Sequence, residues 1–206
     1  MGTVIAFLLG ARGERGLQRM ARIEDVTQPA AAEISEDAAL VAAAREGSRA
    51  AFGRLYDRYF RMVRGILLAR VPRAEVDDLA QDVFLLALRR LHTLRVAAAF
   101  GGWLAMIARN RASDFHRRSP ARLEDELTDD LAGGGAPGPS AEAHAALAAI
   151  RSLPETYRET LILRLVEGMA GPEIAARTGL TPASVRVNLH RGLKQLREKL
   201  GKEEKP

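Results

Sequence analysis

From about Ser35 onward the apolar residues recur at steps of three and four rather than alternating, and this spacing predicts helices. Leu55, Tyr59, Met62, Val63, Ile66 and Leu67 make one such stripe, with Ser48 placed as its N-cap. Gly47 marks the end of a preceding helix that Ser35 would cap. Pro72 breaks the stripe, because proline has no N–H to give the helix and its ring collides with the turn before it. A third helix is expected from near Ala74 to about Arg90. Its Glu75, Asp77 and Asp78 lie in the first turn, where the helix dipole favours negative charge. A fourth begins near Ala98, sends Phe100, Trp103, Leu104, Ile107 and Ala108 inward, and ends in the basic stretch "RNRASDFHRR" from Arg109 to Arg118. Aromatic residues are sparse, β-branched runs are short, and Ala, Leu, Arg and Glu dominate, so the chain reads as all-α.

Between Ser119 and Ala143 the periodicity stops. Pro120, Pro137, Pro139, the run "GGGAPGP" and six acids against the single Arg122 read as a flexible linker. Extended, this stretch could span about 80 Å, and two turns of B-DNA take about 70 Å, so the blocks it joins could occupy separate DNA sites. Helical spacing resumes near Glu142. The expected organisation is an arm at 1–35, a helical domain at 36–118, a linker at 119–142, a second small helical domain at 143–200 and a solvated tail at 201–206. The apolar run Val4 to Leu9 falls well short of the roughly 20 residues a membrane span needs. Arg12 and Arg15 follow that run instead of preceding it, against the order of a signal peptide, and Met20 offers an alternative start.

The second domain carries a distinct supersecondary signature. Gly171 and Pro172 open a short helix, Ile174, Ala175 and Thr178 form its inner face, and Gly179 ends it. Thr181 is then an N-cap and Pro182 suits the first position of the next helix, so two helices are separated by a tight turn containing glycine, as in a helix-turn-helix. On the second of these helices Val185, Leu189, Leu193, Leu196 and Leu200 form a buried stripe, while Arg186, His190, Lys194 and Arg197 share another face. That segregation suits a helix whose N-terminal half enters the major groove while later cations meet phosphates.

Charge and composition sharpen this picture. The formal charge of +5 favours a polyanionic partner. The chain has no cysteine, which excludes disulfides and thiolate metal sites and fits a reducing cytoplasm. His92, His116, His144 and His190 show no metal-ligand spacing, so neither metal nor cofactor is expected. There is no glycine-rich phosphate loop and no Ser/His/Asp set, and the chain is expected not to be an enzyme.

Two separate blocks resemble one family in the right order. "LPETYRETLILRLVEGMAGPEIAARTGLTPASVRVNLHRGLKQLREKL" from Leu153 to Leu200 is similar to region four of the bacterial sigma-70 family. "DDLAQDVFLLALRRL" followed by "FGGWLAMIARNRASDFHRR" is similar to its region two. The presence of only these two regions resembles the extracytoplasmic-function group. The resemblance implies a factor that binds core RNA polymerase and directs promoter-specific initiation by recognising the −35 and −10 elements and helping open the −10 DNA. An anti-sigma protein is a further candidate partner.

Carried over residue by residue, the resemblance implies core-polymerase contacts at Asp78, Leu79, Gln81, Asp82 and Phe84. It implies that Asn110 lies near the pocket for a flipped −10 base, with Arg109, Arg111, Arg117 and Arg118 on backbone phosphates. In region four it implies DNA contacts at Thr181, Ser184, Arg186, Val187, His190, Arg191 and Lys194, of which Arg186, Val187 and His190 correspond to upstream readers. Trp103 reads as a core aromatic rather than a base-stacking platform. Departures exist: "ASVRVNL" stands where the family often has Gly-Thr-Val-Lys-Ser-Arg-Leu, "AGPEIA" replaces Ser-Tyr-x-Glu-Ile-Ala, and "LRVAAAF" replaces the usual Phe-Arg-Gly start. Two other readings stay open. One is a sigma-like decoy that binds an anti-sigma protein without touching DNA. The other is an ordinary helix-turn-helix regulator, which would leave "DDLAQDVF" and "WLAMIARNR" without a role.

Overall fold

The computed structural model describes residues 29–118 and 141–203, and the stretch expected to be a linker lies almost wholly outside them. The described residues form eight α-helices and no strand. In the first block α1 spans Pro29–Arg45, α2 Arg49–Leu68, α3 Val76–Arg90 and α4 Phe100–Arg118. In the second, α5 spans Ala141–Arg151, α6 Glu155–Leu165, α7 Gly171–Thr178 and α8 Pro182–Glu203.

Local chemistry sets most of the boundaries. Ser48 caps α2, its hydroxyl accepting from the Ala51 N–H at 3.2 Å. Pro72 follows the end of α2 and leads into a single 3-10 turn, Arg73–Glu75, before α3 starts. Another such turn, Ala97–Ala99, precedes α4. The first helix departs from expectation: it starts at Pro29 and runs through Ser35, so Ser35 is an interior residue and not a cap. Proline at the first position of a helix loses no hydrogen bond there, which makes Pro29 a natural start. The last helix likewise continues past Leu200 to Glu203.

The six residues predicted to stripe α2 are all buried. Around them close Val76, Leu79, Ala80, Val83, Phe84 and Ala87 of α3 and Phe100, Leu104, Ala105, Ile107 and Ala108 of α4. Each fully buried aliphatic side chain contributes about 1.5–3 kcal/mol. Trp103 is only half-buried and packs beside Phe100, ring centroids 5.9 Å apart, in keeping with a structural aromatic.

The two blocks do not stand apart. Leu161, Ile162, Leu163 and Ile174 of the second block belong to the same contiguous core as α2 and α4. Two glycines permit this contact. A Cβ on Gly65 of α2 would lie 2.6 Å from Leu163, and one on Gly101 of α4 would lie 2.6 Å from the Arg177 carbonyl oxygen. Around the apolar contact runs a ring of arginines: Arg151 donates to the Leu68 and Val71 carbonyls at 3.1 and 2.9 Å, Arg158 to Ala69 at 3.2 Å, and Arg177 to Arg58 at 2.8 Å.

Candidate nucleic-acid interface

The basic helix of the second block is set up by the turn between α7 and α8. Gly179 takes a left-handed conformation, φ +77°, and its N–H closes α7 on the Ala175 carbonyl. The Glu173 carboxylate accepts from the Ala170 N–H at 3.1 Å and so satisfies a free donor at the other end of α7. Thr181 caps α8, its hydroxyl accepting from the Ser184 N–H at 3.1 Å, and the two hydroxyls meet at 2.8 Å. The helix-turn-helix expected from the sequence is thus formed. Val185 and Leu196 of α8 are buried, and Leu189, Leu193 and Leu200 pack partly buried against the same core.

The opposite face of α8 is open. Arg186, Val187, His190, Arg191 and Lys194 are exposed, and the cations among them have no ion-pair partner among the described residues. Val187 is 44% exposed on this basic surface, whereas the neighbouring Asn188 is buried. Among the described residues no group of His, Asp and Glu is arranged to hold a metal ion.

In the first block, α3 and α4 frame a cavity of about 460 Å³ lined by Leu86, Arg90, Ile107, Asn110, Arg111, Ser113, Asp114 and Arg117. Asn110 is exposed at this cavity, and Arg117 and Arg118 are exposed at the end of α4. Arg111 pairs with Asp82 across the helices, and Arg117 pairs with Asp114 one turn away. Two of the arginines expected to meet phosphate therefore already hold local acids, and Asp82, expected to face the polymerase, is one of them.

Arg109 is engaged more firmly. Its guanidinium forks onto the Glu159 carboxylate of α6 at 3.1 and 2.7 Å, and Arg70 reaches the same carboxylate at 2.6 Å. Hydrogen bonding to Glu159 holds Arg109 above its ordinary pKa against the opposing effect of burial. Burial pushes the Glu159 carboxyl up, but the Arg109 hydrogen bond and the charges of Arg70 and Arg109 outweigh it and keep the group below the ordinary carboxylate range.

On α3, Asp78 and Gln81 are exposed, as a docking surface needs. Leu79 and Phe84 are not: they are 7% and 3% exposed, lie in the core, and hold α3 in place rather than offering a contact. That corrects the expectation that both face the polymerase. A family pattern of hydrophobic positions does not say which ones point outward. The outward apolar residues are Leu85 and Leu88, 52% and 46% exposed, which sequence reasoning missed. The run "VFLLAL" holds more apolar residues than one buried stripe accommodates, and that excess was the available signal.

Comparison with known proteins agrees with this anatomy. The family model for sigma-70 region 2 matches residues 55–121, and that for sigma-70 region 4 matches residues 143–196. RNA polymerase sigma factor CarQ of Myxococcus xanthus is 37% identical over 164 residues, covering 76% of this chain and 93% of that protein. The chain belongs to the sigma-70 family, in its extracytoplasmic-function group. The sigma-E factor of Escherichia coli K12, of the same group, is 29% identical over 80% of this chain and 94% of its own length. Among solved structures, CnrH in complex with the cytosolic domain of CnrY superposes with a TM-score of 0.57 at 28% identity, covering 82% of this chain and 99% of that one. As a member of this family the chain is a transcription initiation factor and not an enzyme. No described helix is long and apolar enough to cross a membrane.

Proposed function

We propose that this sigma factor docks on core RNA polymerase through the outer face of α3, reads the −35 element with α8 and takes a −10 base into the cavity between α3 and α4. The observation that carries the reading is the division of α8 into a packed apolar stripe and an exposed face carrying Arg186, His190, Arg191 and Lys194, which have no ion pair among the described residues, starting at a capped helix N-terminus. Arg186 and His190 then face base edges, and Arg191 and Lys194 face phosphates. Thr181, which caps the helix, and Ser184, whose N–H donates to it, are exposed at the end that would enter the groove. Asn110 supplies an amide able to read a base edge within a cavity of suitable size. On α3 the contact falls to Asp78 and Gln81 together with the exposed Leu85 and Leu88, which combine acidic and apolar character against a basic partner. A protein inhibitor that covers one of these surfaces is a further proposed partner, as CnrY is found with CnrH.

The test is transcription by core polymerase plus this protein on a promoter library, with Asp78→Lys/Gln81→Lys as the paired control. Both residues are exposed, so folding is preserved while the docking surface reverses charge. Loss of core pull-down together with loss of promoter-specific transcripts is the expected result. Retention of core at wild-type strength would refute the assigned face.

A further inference from the structure

Glu159 stands out among the acids of the second block. It is 5% exposed, and both carboxylate oxygens are held by guanidinium groups of the first block, Oε1 by Arg109 at 2.7 Å and Oε2 by Arg109 at 3.1 Å and Arg70 at 2.6 Å. Arg70 also pairs with the exposed Glu155 at 2.8 Å, and its backbone carbonyl accepts from His116 Nε2 at 2.6 Å, which ties it to the end of α4. Without Glu159 and Glu155, the first block would present two arginines, Arg70 from the turn after α2 and Arg109 from α4, converging on one point. Two convergent guanidiniums with room for an anion between them form a phosphate site.

The geometry points to Arg70 and Arg109 as a backbone-phosphate site for single-stranded DNA, occupied in the closed molecule by the Glu159 carboxylate acting as an internal phosphate mimic. This rests on the promoter-binding reading above and extends it to Arg70, which no sequence motif marks. The closed form and the DNA-bound form are then mutually exclusive at these two residues. Separation of the blocks is also what simultaneous use of two promoter elements requires. Elements about two helical turns apart are about 70 Å apart, and no single pair of touching domains spans that distance. Opening removes the acid and uncovers the site in one step. A second junction points the same way: the Glu167 carboxylate bonds Arg64 at 2.6 Å and its backbone carbonyl accepts from Arg61.

The experiment uses the full chain. It contains no cysteine, so Ala50→Cys and Glu198→Cys, both at exposed positions, give a clean dye pair reporting the separation of the blocks. The probe is a labelled 20-nucleotide single strand of mixed sequence, which α8, a duplex reader, does not favour. In the otherwise unaltered chain, energy transfer should fall as the strand binds, because phosphate and Glu159 compete for the same guanidiniums. Glu159→Gln, nearly isosteric and uncharged, should lower transfer before any DNA is added. It should also raise affinity about tenfold at low salt and steepen the log–log salt slope by about 1.4, the value for two added phosphate contacts on a single strand. Adding Arg70→Ala/Arg109→Ala to Glu159→Gln should return affinity to the starting level or below. Strand binding with unchanged transfer would overturn the proposal, as would opening by Glu159→Gln without an affinity gain, or a gain that survives loss of both arginines. A duplex carrying the −35 element, run in parallel, keeps the two readings apart. If the duplex binds and the single-strand results fail, only the phosphate site falls. If neither binds, promoter recognition falls with it.

Discussion

Arg186 and Lys194 lie on the same exposed face of α8, yet they are expected to fail in different ways when removed. Arg186 is in the first turns of the helix, the part assigned to base edges in the proposed reading. Arg186→Ala should cost about 1–3 kcal/mol on the cognate −35 element and relax preference at one base pair. Lys194 is two turns further along and is assigned to phosphate in the same reading, so Lys194→Ala should weaken all sequences about equally and reduce the salt slope by about one unit. Binding isotherms on cognate and scrambled duplexes across a salt series separate the two. A uniform loss on Arg186→Ala would show that this residue does not read the groove. The exposed placement of both residues was legible in the sequence, because a cation on the polar side of a capped amphipathic helix points away from its packed stripe. Arg109 was not so simply legible. Its charge and position matched a phosphate contact, but a residue list cannot show that an acid 50 positions later in the chain already holds it. Leu79 and Phe84 show the converse, since a motif names positions without naming the side of the helix they occupy.

At the scale of the element, the helices followed from spacing and caps, and the joints between them did not. Ser48, Pro72, Gly179 and Thr181 each act through their own backbone neighbourhood, so sequence reasoning could place them. The contact of α4 with α7 depends instead on Gly101 meeting the Arg177 carbonyl, a pairing 76 positions apart that leaves no periodic trace. This gives a sharp contrast within one substitution type. Gly101→Ala favours α4 by intrinsic propensity, about 1 kcal/mol, but places a methyl 2.6 Å from a backbone oxygen that has no freedom to rotate away. It should therefore leave helical circular dichroism unchanged while increasing the radius of gyration in small-angle scattering. Gly53→Ala is the control: a Cβ there meets nothing within 4 Å, so it should stabilise α2 by about 0.5–1 kcal/mol with no change in size. Equal scattering from both variants would remove Gly101 as a determinant of the closed joint.

At the scale of the whole molecule, two buried carboxylates at the junction of the blocks have pKa values shifted in opposite directions. Glu159 is held below the ordinary carboxylate range, so its contribution to the closed, folded state is fully present above the unfolded value of about 4.3 and is lost as pH falls through its lower folded value. Glu167 behaves the other way. Burial raises it despite Arg64 and Arg61, with Asp77 adding to the rise, so its ionised form is penalised on folding. That penalty is fully present above its folded value and is relieved as pH falls towards the unfolded one. Acidification from neutrality should accordingly protonate Glu167 first, with a gain in stability, and Glu159 later, with a loss. Denaturant unfolding followed at closely spaced pH values should give a stability maximum on the acid side of neutrality. Glu167→Gln should remove the rise, because nothing is left there to protonate. Glu159→Gln should lower the plateau and flatten the acid-side fall, because the charge whose loss causes that fall is already gone. A monotonic profile in the unaltered chain, or a rise that persists in Glu167→Gln, would show that these two carboxylates do not set the pH response of the closed form.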